Sequence, residues 1–540
     1  MSPAAETAEP AAPREMVHVT VSDTRSNALT HSDARPVGPV ERGSPDPVGR
    51  TCTKNRLLRA AGHTCAGPGL RRLLATDFAG QSELERLQER KLGRLLRHAG
   101  ASVPLYAEML AQIAGGLEKM SPFEVLRELP FLTKREISAN FPDRMLSGGR
   151  RPRGSQHLYS SGTTADRIDV IVGPSGQLSR LALVLWRHRL GGGCPLGSCR
   201  VEIPPDACSR ICGADTDRPP GMADEVRSLT DQGVGPLRAT LRTAERRLRA
   251  GIRHGLIYDR TLPPFGPGGT AIPDARLQEY LEAIRGARPH LLSGLPTYLH
   301  QLARYLQRSG QRLHVPVVHP MGALSTEGQR AVIGQAFGAR VYDTYGSSEL
   351  GTFSAQCEER GHLHVAMSSY IVEVVRDGRT VGEGELGEIA VTSLDNYAMP
   401  LIRYKVGDVG RWYRAGCPCG RTSQMIECNG RLQALVVTRA GTPVTEEDLM
   451  NLAYSELGLE HFQLVEHRPG RFDLLVVAAP DAPADLHAVG EAFARVLDRP
   501  EQLEVFPVDT IYPEATGKFR FVKSASFGSF GRPVSAWEEQ

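Results

Sequence analysis

Four short segments carry side chains whose types and spacing could do chemistry. Tyr159-Ser160-Ser161-Gly162-Thr163-Thr164 sets one glycine among hydroxyls. Such a loop lets backbone approach a ligand closely, exposes N–H groups and adds hydroxyl donors, which is how an uncharged loop cradles a polyphosphate. It lacks the Gly-Lys-Ser/Thr ending of a Walker-type loop. Tyr342-Asp343-Thr344-Tyr345-Gly346-Ser347-Ser348-Glu349 follows an apolar run, so it falls at a strand end, where α/β sheets place ligands. There Tyr345 could stack on a base, Gly346 and Ser348 would let backbone meet a phosphate, and Glu349 is a hard oxygen ligand suited to Mg²⁺. Gly384-Glu385-Leu386-Gly387-Glu388 and then Met399–Asp408 form the third segment. Its Asp408, after a tight turn, could accept hydrogen bonds from both hydroxyls of a ribose. The fourth is Thr516-Gly517-Lys518-Phe519-Arg520, whose lysine could bring positive charge to a developing phosphate or carboxylate charge. Taken singly, each also reads as an ordinary turn or a solvated lysine.

The elements that must position these residues are visible in the apolar periodicity. Residues 1 to about 75 are rich in Ala, Pro, Ser, Thr and Arg without a sustained period, which predicts a mostly disordered extension. Order is expected from Ser82, where Leu84, Leu87, Leu92, Leu95 and Leu96 share a helical face. Ser121-Pro122-Phe123-Glu124 opens a second helix with a capping box and proline in the first turn. From Tyr159 to Arg431, β-rich runs such as Val315–His319 and Arg340–Thr344 alternate with helical ones at Arg180–Leu190, Leu277–Arg285 and Pro296–Arg308, the pattern of an α/β core. Beyond Arg431 the texture changes to a compact α+β module, with strands at Leu435–Thr438, Phe462–Glu466 and Phe472–Ala478 and helices at Thr445–Leu457 and Ala484–Val496.

Composition bounds the function. A formal net charge of +3 over 540 residues is too balanced to predict nucleic-acid or anionic-membrane binding. The longest aliphatic stretch, around Leu181–Trp186, falls far short of the ~20 residues a membrane span needs. The N-terminus has no apolar run to act as a signal, so a cytoplasmic location is expected. Ten cysteines in a chain this long do not make a disulfide scaffold, so their spacing matters more than their number.

In order and spacing the four segments together resemble the adenylate-forming enzymes, and within them the phenylacetate–CoA ligase family. The resemblance runs from about Ser82 to Arg520 and includes Val103-Pro104-Leu105-Tyr106, Leu129-Pro130-Phe131-Leu132-Thr133-Lys134, the Ala398–Asp408 run and Cys417-Pro418-Cys419-Gly420-Arg421. It implies a large α/β adenylation domain over 76–431 and a small, mobile α+β domain over 432–540, behind the 1–75 extension. It also implies an ATP-dependent ligase that converts a small aromatic carboxylic acid to its acyl-adenylate and passes the acyl group to coenzyme A. A carrier-protein thiol or an amine is the alternative acceptor, and a non-catalytic nucleotide-binding relative the alternative class. A homodimer is an open possibility for its assembly. Carried over residue by residue, Ser160, Ser161, Gly162, Thr163 and Thr164 would hold the β,γ-phosphates, Tyr345 would flank adenine, and Ser348 would approach the α-phosphate. Glu349 would bind Mg²⁺, and Asp408, helped by Arg431, would hold the ribose. Lys518 would bridge the acyl carboxylate and α-phosphate, then withdraw as the small domain swings about Arg431–Gln433.

Two positions depart from the family pattern. Gly-x-Pro after the phosphate loop is replaced by Ala165-Asp166-Arg167-Ile168, and the acidic hinge residue two after the arginine is Gln433. Relatives with this cysteine pattern can carry a structural zinc, which here would use Cys357, His364, Cys417 and Cys419. Free thiols are the other reading, and His362 is a competing ligand; His364 keeps the family spacing to Ile371-Val372-Glu373. Cys194, Cys199, Cys208 and Cys212 are irregularly spaced and read as buried or free cysteines rather than a second metal site.

Overall fold

The computed structural model describes residues 17–18, 67–160, 168–191, 199–204, 230, 235–237, 240, 260–262, 265, 269–270, 272–359, 361–414, 416–479, 484–498, 500–514 and 518–525. Helices come first. Gln81–Ser102 buries Leu84, Leu92, Leu95 and Leu96 along one face, and the last three pack with Val125 and Leu126 of the helix Pro122–Glu128. The expected capping box is present: Ser121 and Glu124 satisfy each other's backbone N–H. A second box, Thr133 with Glu136, starts Lys134–Asn140.

A five-stranded parallel sheet follows, in the order Arg260–Thr261, Arg200–Ile203, Leu291–Gly294, Val317–Pro320, Arg340–Val341. The helices Asp274–Ala287, Pro296–Arg308 and Glu327–Phe337 bury one face of it around Val201, Ile203, Leu292, Val318 and Val341. The end of the helix Pro174–Leu190 lies against the other face, where His188 meets His319. Among the described residues, strand–helix alternation stops at Val341. From Thr344 to Arg431 the chain instead builds an eight-stranded antiparallel sheet, ordered Arg379–Thr380, Tyr370–Arg376, Gly387–Ser393, Tyr404–Tyr413, Met425–Arg431, Leu363–Val365, Gly351–Ala355, Thr344–Ser347. Turn glycines at Gly351, Gly378, Gly384 and Gly420, all at positive φ, interrupt the runs too often for helices to form between strands.

After Arg431, one helical turn at Leu432–Ala434 leads to a smaller five-stranded sheet with the helices Glu446–Asn451 and Leu486–Val496. Its core, around Leu464, Leu474, Phe462 and Phe493, also takes in Leu295 and Tyr298 of the preceding unit. No helix among the described residues is long and apolar enough to cross a membrane.

The disordered 1–75 extension needs correction at two places. Val17–His18 pairs antiparallel with Gln502–Pro507, and residues 67–76 are helical with Leu73 buried in the main core. The following Asp77 accepts from Trp186 Nε1 at 2.7 Å and pairs with the buried Arg421 at 3.5 Å. Those partners are more than a hundred residues away, so local periodicity could not reveal them. Cys52 and Cys65 lie outside the described residues.

One buried side chain joins the helical start of the chain to the antiparallel sheet. Arg403, at φ 51°, forks onto Glu373 with Nε to Oε2 at 3.1 Å and Nη2 to Oε1 at 2.9 Å. Its Nη1 donates to the carbonyls of Leu129 at 2.7 Å and Arg127 at 2.9 Å, and Phe131 lies 3.8 Å beneath the guanidinium. Arg403→Met would leave Glu373 buried without its cation, so urea denaturation should show a loss of about 3–5 kcal/mol. A loss below about 1 kcal/mol, the range of an exposed pair, would contradict this role.

Candidate active site

The segment after Tyr342 turns at once into a hairpin, Thr344–Ser347 against Gly351–Ala355. A Cβ at Gly346 would come within 2.4 Å of the Gly351 carbonyl, so only glycine fits that close approach. Arg180, reaching over from the helix Pro174–Leu190, donates to the Ser348 carbonyl at 3.0 Å and to the Glu349 carbonyl. Tyr404, next to the Arg403 anchor, donates its hydroxyl to Glu349 Oε1 at 3.1 Å. Glu349 is thus held at its backbone by Arg180 and at its carboxylate by Tyr404, while the residue is 6% exposed and lines a large cleft.

Asp408 and Arg431 are brought together by strand register, each opposite the other on neighbouring antiparallel strands. Arg431 Nη1 lies 3.1 Å from Asp408 Oδ1, and the Tyr345 hydroxyl donates to Asp408 Oδ2 at 2.6 Å. The carboxylate beside it holds the Arg431 guanidinium more firmly protonated than usual, and burial followed by the Asp408 charge keeps the Tyr345 phenol un-ionised. Arg431 N–H points to Glu446 Oε2 at 3.4 Å, in the first helix after the helical turn. Burial pushes the Glu446 carboxyl upward. Gly430, at φ 110°, permits this contact, because a Cβ there would meet Glu446 Cβ at 2.6 Å.

The cleft, about 2610 Å³, is lined by Tyr345, Ser348, Glu349, Asp408, Arg431 and Lys518. Every predicted site residue in the three later segments therefore opens onto one space. Thr516 and Gly517 lie outside the described residues, as do Ser161, Gly162, Thr163 and Thr164 of the phosphate-loop reading. Ser160 is described, and its expected phosphate contact needs correction. It is 2% exposed, accepts from Ile168 N–H through its hydroxyl at 3.0 Å and does not line the cleft. It closes the neck of the loop, because Gln156–Tyr159 and Asp169–Val172 form a hairpin whose ends must meet at that point. Lys134, Arg180, Tyr404 and Glu446 were given no site role by sequence. Lys134, Arg180 and Glu446 line the cleft, and Tyr404 supports it. Lys134 and Tyr404 sit inside the family-like runs, which was the available signal; Arg180 and Glu446 gave none.

At the other end of the antiparallel sheet, one ligand atom each from Cys357, His364, Cys417 and Cys419 lies within 4.8 Å of the others. Cys357 Sγ and Cys417 Sγ are 3.6 Å apart, and Cys419 Sγ is 3.5 Å from His364 Nε2. His364 Nδ1 meets Ser423 Oγ at 2.9 Å, which fixes the ring. None of the three cysteines is in a disulfide. His362 is turned elsewhere, stacked on Tyr413 at 4.0 Å and 3.6 Å from Glu427. Cys194, Cys208 and Cys212 lie outside the described residues, and the buried Cys199 donates to the Ala287 carbonyl.

A parallel sheet is followed by an antiparallel one and a smaller α+β unit, with Glu349, Asp408 and Lys518 on one cleft. The fold matches the crystal structure of a 2-hydroxyisobutyryl-CoA ligase in its postadenylation state with a TM-score of 0.61 at 19% identity, covering 83% of this chain and 90% of that one. In sequence the chain is similar to phenylacetate–coenzyme A ligases. It is 26% identical over 406 residues to that of Thermus thermophilus, covering 73% of this chain and 80% of the relative, and 24% identical over 424 residues to that of Pseudomonas putida, covering 75% and 82%. No protein-family model matches the chain.

Proposed function

We propose that the protein uses ATP to convert a small aromatic carboxylic acid to its acyl-adenylate and then passes the acyl group to the thiol of coenzyme A. The observation that carries this reading is the convergence of Glu349, Asp408, Arg431 and Lys518 on one cleft. In the first step a carboxylate oxygen attacks the α-phosphorus of ATP, the bond to the β-phosphate breaks, and pyrophosphate leaves. Negative charge builds on the α-phosphate oxygens, and a fixed ammonium there is worth more in the transition state than in the ground state. Lys518 supplies that charge. Asp408, held by Arg431 and Tyr345, accepts from the ribose hydroxyls and fixes the nucleotide along the cleft. Glu349, braced by Tyr404, offers a hard oxygen to the Mg²⁺ that accompanies the nucleotide. That ion, when bound, offsets charge on the departing pyrophosphate. Support for coenzyme A as acceptor comes from the relatives, which are named as coenzyme A ligases. Pyrophosphate exchange with a panel of acids tests activation, and mass analysis of the product with coenzyme A, a carrier protein or an amine tests the acceptor.

The Cys357, His364, Cys417 and Cys419 set fits a structural zinc. Its sulfur and nitrogen atoms stand at about the separations that four ligands at roughly 2.0–2.3 Å from one tetrahedral ion would have. Three thiols and one imidazole leave no open position, so the ion would brace the hairpin turn that carries Cys417 and Cys419 and take no part in the reaction.

Lys518→Ala should reduce pyrophosphate exchange by about 10²–10³, the cost of losing one such charge from the transition state. Thiolysis of a supplied acyl-adenylate should be largely spared; equal loss in both half-reactions would contradict a role confined to adenylation. Metal analysis of protein purified without added zinc should give about one equivalent per chain. Cys419→Ser should lower both the metal content and the melting temperature, whereas metal-free protein of full stability would refute the site.

A further inference from the structure

The helix Pro174–Leu190 presents Arg180, Val184 and Arg187 to the cleft, at spacings of four and three residues that put them on one helical face. Arg180 stands at the Ser348–Glu349 end, where its guanidinium holds two carbonyls. At about 1.5 Å per residue, Arg187 lies roughly 10 Å further along the helix, with the apolar Val184 between the two arginines. Arg187 is 6% exposed. Its Nη1 donates to Thr352 Oγ1 at 2.9 Å, Nε has no partner, and no described residue accepts from Nη2. The carboxylates that share the cleft are engaged elsewhere: Glu349 with Tyr404, Asp343 with Arg330, and Asp408 with Arg431. Glu202 also lines the cleft and makes no ion pair with Arg187. A guanidinium cannot shed its proton, and a buried charge is costly unless an opposite one meets it.

Two neighbouring histidines report the sign of the local field. Burial, then the Arg187 and Arg200 charges, pushes His319 down to about 3, and burial with the same arginines and His319 holds His188 well below its ordinary value. This end of the cleft is therefore electropositive. A bare ring or a hydroxyl entering here would leave the Arg187 charge unpaired. A carboxylate offers two acceptor oxygens to the N–H groups that Thr352 leaves unused, the planar match at which arginine excels. The reacting carboxylate belongs at the Ser348–Glu349 end, and Val184 lines the space between. A ring with an acidic arm on each side spans a distance of this order.

Resting on the acid-activating reading above, we propose that the acid carries a second carboxylate, remote from the reacting one, and that Arg187 binds it. Arg187 then sets specificity, because an acid without that group leaves a buried cation with no anion, and sites built around a polar partner discriminate strongly against the analogue that lacks it.

Calorimetric titration of the full chain with phenylacetic acid, the phenylenediacetic acids and the hydroxyphenylacetic acids tests this. At least one diacid should bind at least about tenfold more tightly than phenylacetic acid, the effect of one charge-assisted hydrogen-bonded pair, and no hydroxy acid should match it. In Arg187→Met that ratio should fall towards one, while phenylacetic acid binds at least as tightly as before and ATP binding shows that the variant is folded. The milder Arg187→Lys, which keeps the charge and loses the fork, should give an intermediate ratio. Phenylacetic acid binding as tightly as every diacid, a hydroxy acid matching the best diacid, or a ratio that survives Arg187→Met would overturn the proposal. Loss of ATP affinity in both variants would place Arg187 on the nucleotide or in the scaffold and overturn it too. A diacid that binds through Arg187 but supports no pyrophosphate exchange would uphold this assignment and sink the activation reading instead.

Discussion

Asp408 and Arg431 face each other across neighbouring strands, and the Tyr345 hydroxyl closes the pair from a third strand. A carboxylate this buried is costly unless it is paired and hydrogen-bonded, so the three side chains hold one another in place. The arrangement depends on backbone that only particular residues adopt: Gly407 at φ 82° and Gly430 at φ 110° shape the strands on either side of it. Because Arg431 N–H also points to Glu446, the same node ties the antiparallel sheet to the first helix of the smaller unit. The smaller unit, which carries Lys518, is joined to the sheet at this cluster.

The strand pair Tyr404–Tyr413 and Met425–Arg431 is fastened at both ends. Its open end carries Asp408 and Arg431; its turn carries Cys417 and Cys419, gathered with Cys357 and His364. Tyr404, at the start of the first strand, supports Glu349, and Arg403 just before it forks onto Glu373. The cleft-facing carboxylates and the thiol–imidazole cluster thus share a scaffold.

Much of this was legible in sequence where the signal is local. Ser121 and Glu124 announced a helix start, Asp408 stood after a tight turn, and the thiol–imidazole set followed from cysteine spacing together with the family resemblance. What was not legible depends on register and distance. The resemblance set Arg431 near Asp408, but their ion pair is made by strand pairing, and the helix at 67–76 owes its docking to Trp186 and Arg421. Ser160 looked like its hydroxyl neighbours, but hairpin closure turned it inward onto Ile168. The run from Thr344 to Arg431 was read as a continuation of strand–helix alternation because short apolar runs do not declare their neighbours; its turns, not its hydrophobic pattern, make it antiparallel.

The central claim is that Asp408 and Arg431 act as one unit in holding the nucleotide. A double-mutant cycle on ATP affinity, with Asp408→Asn, Arg431→Met and both together, measures it directly. The account predicts that each single change weakens binding and that the pair falls short of their sum by a coupling of about 0.5–3 kcal/mol. Losses that add to within about 0.3 kcal/mol would show that the two residues act independently and would contradict it.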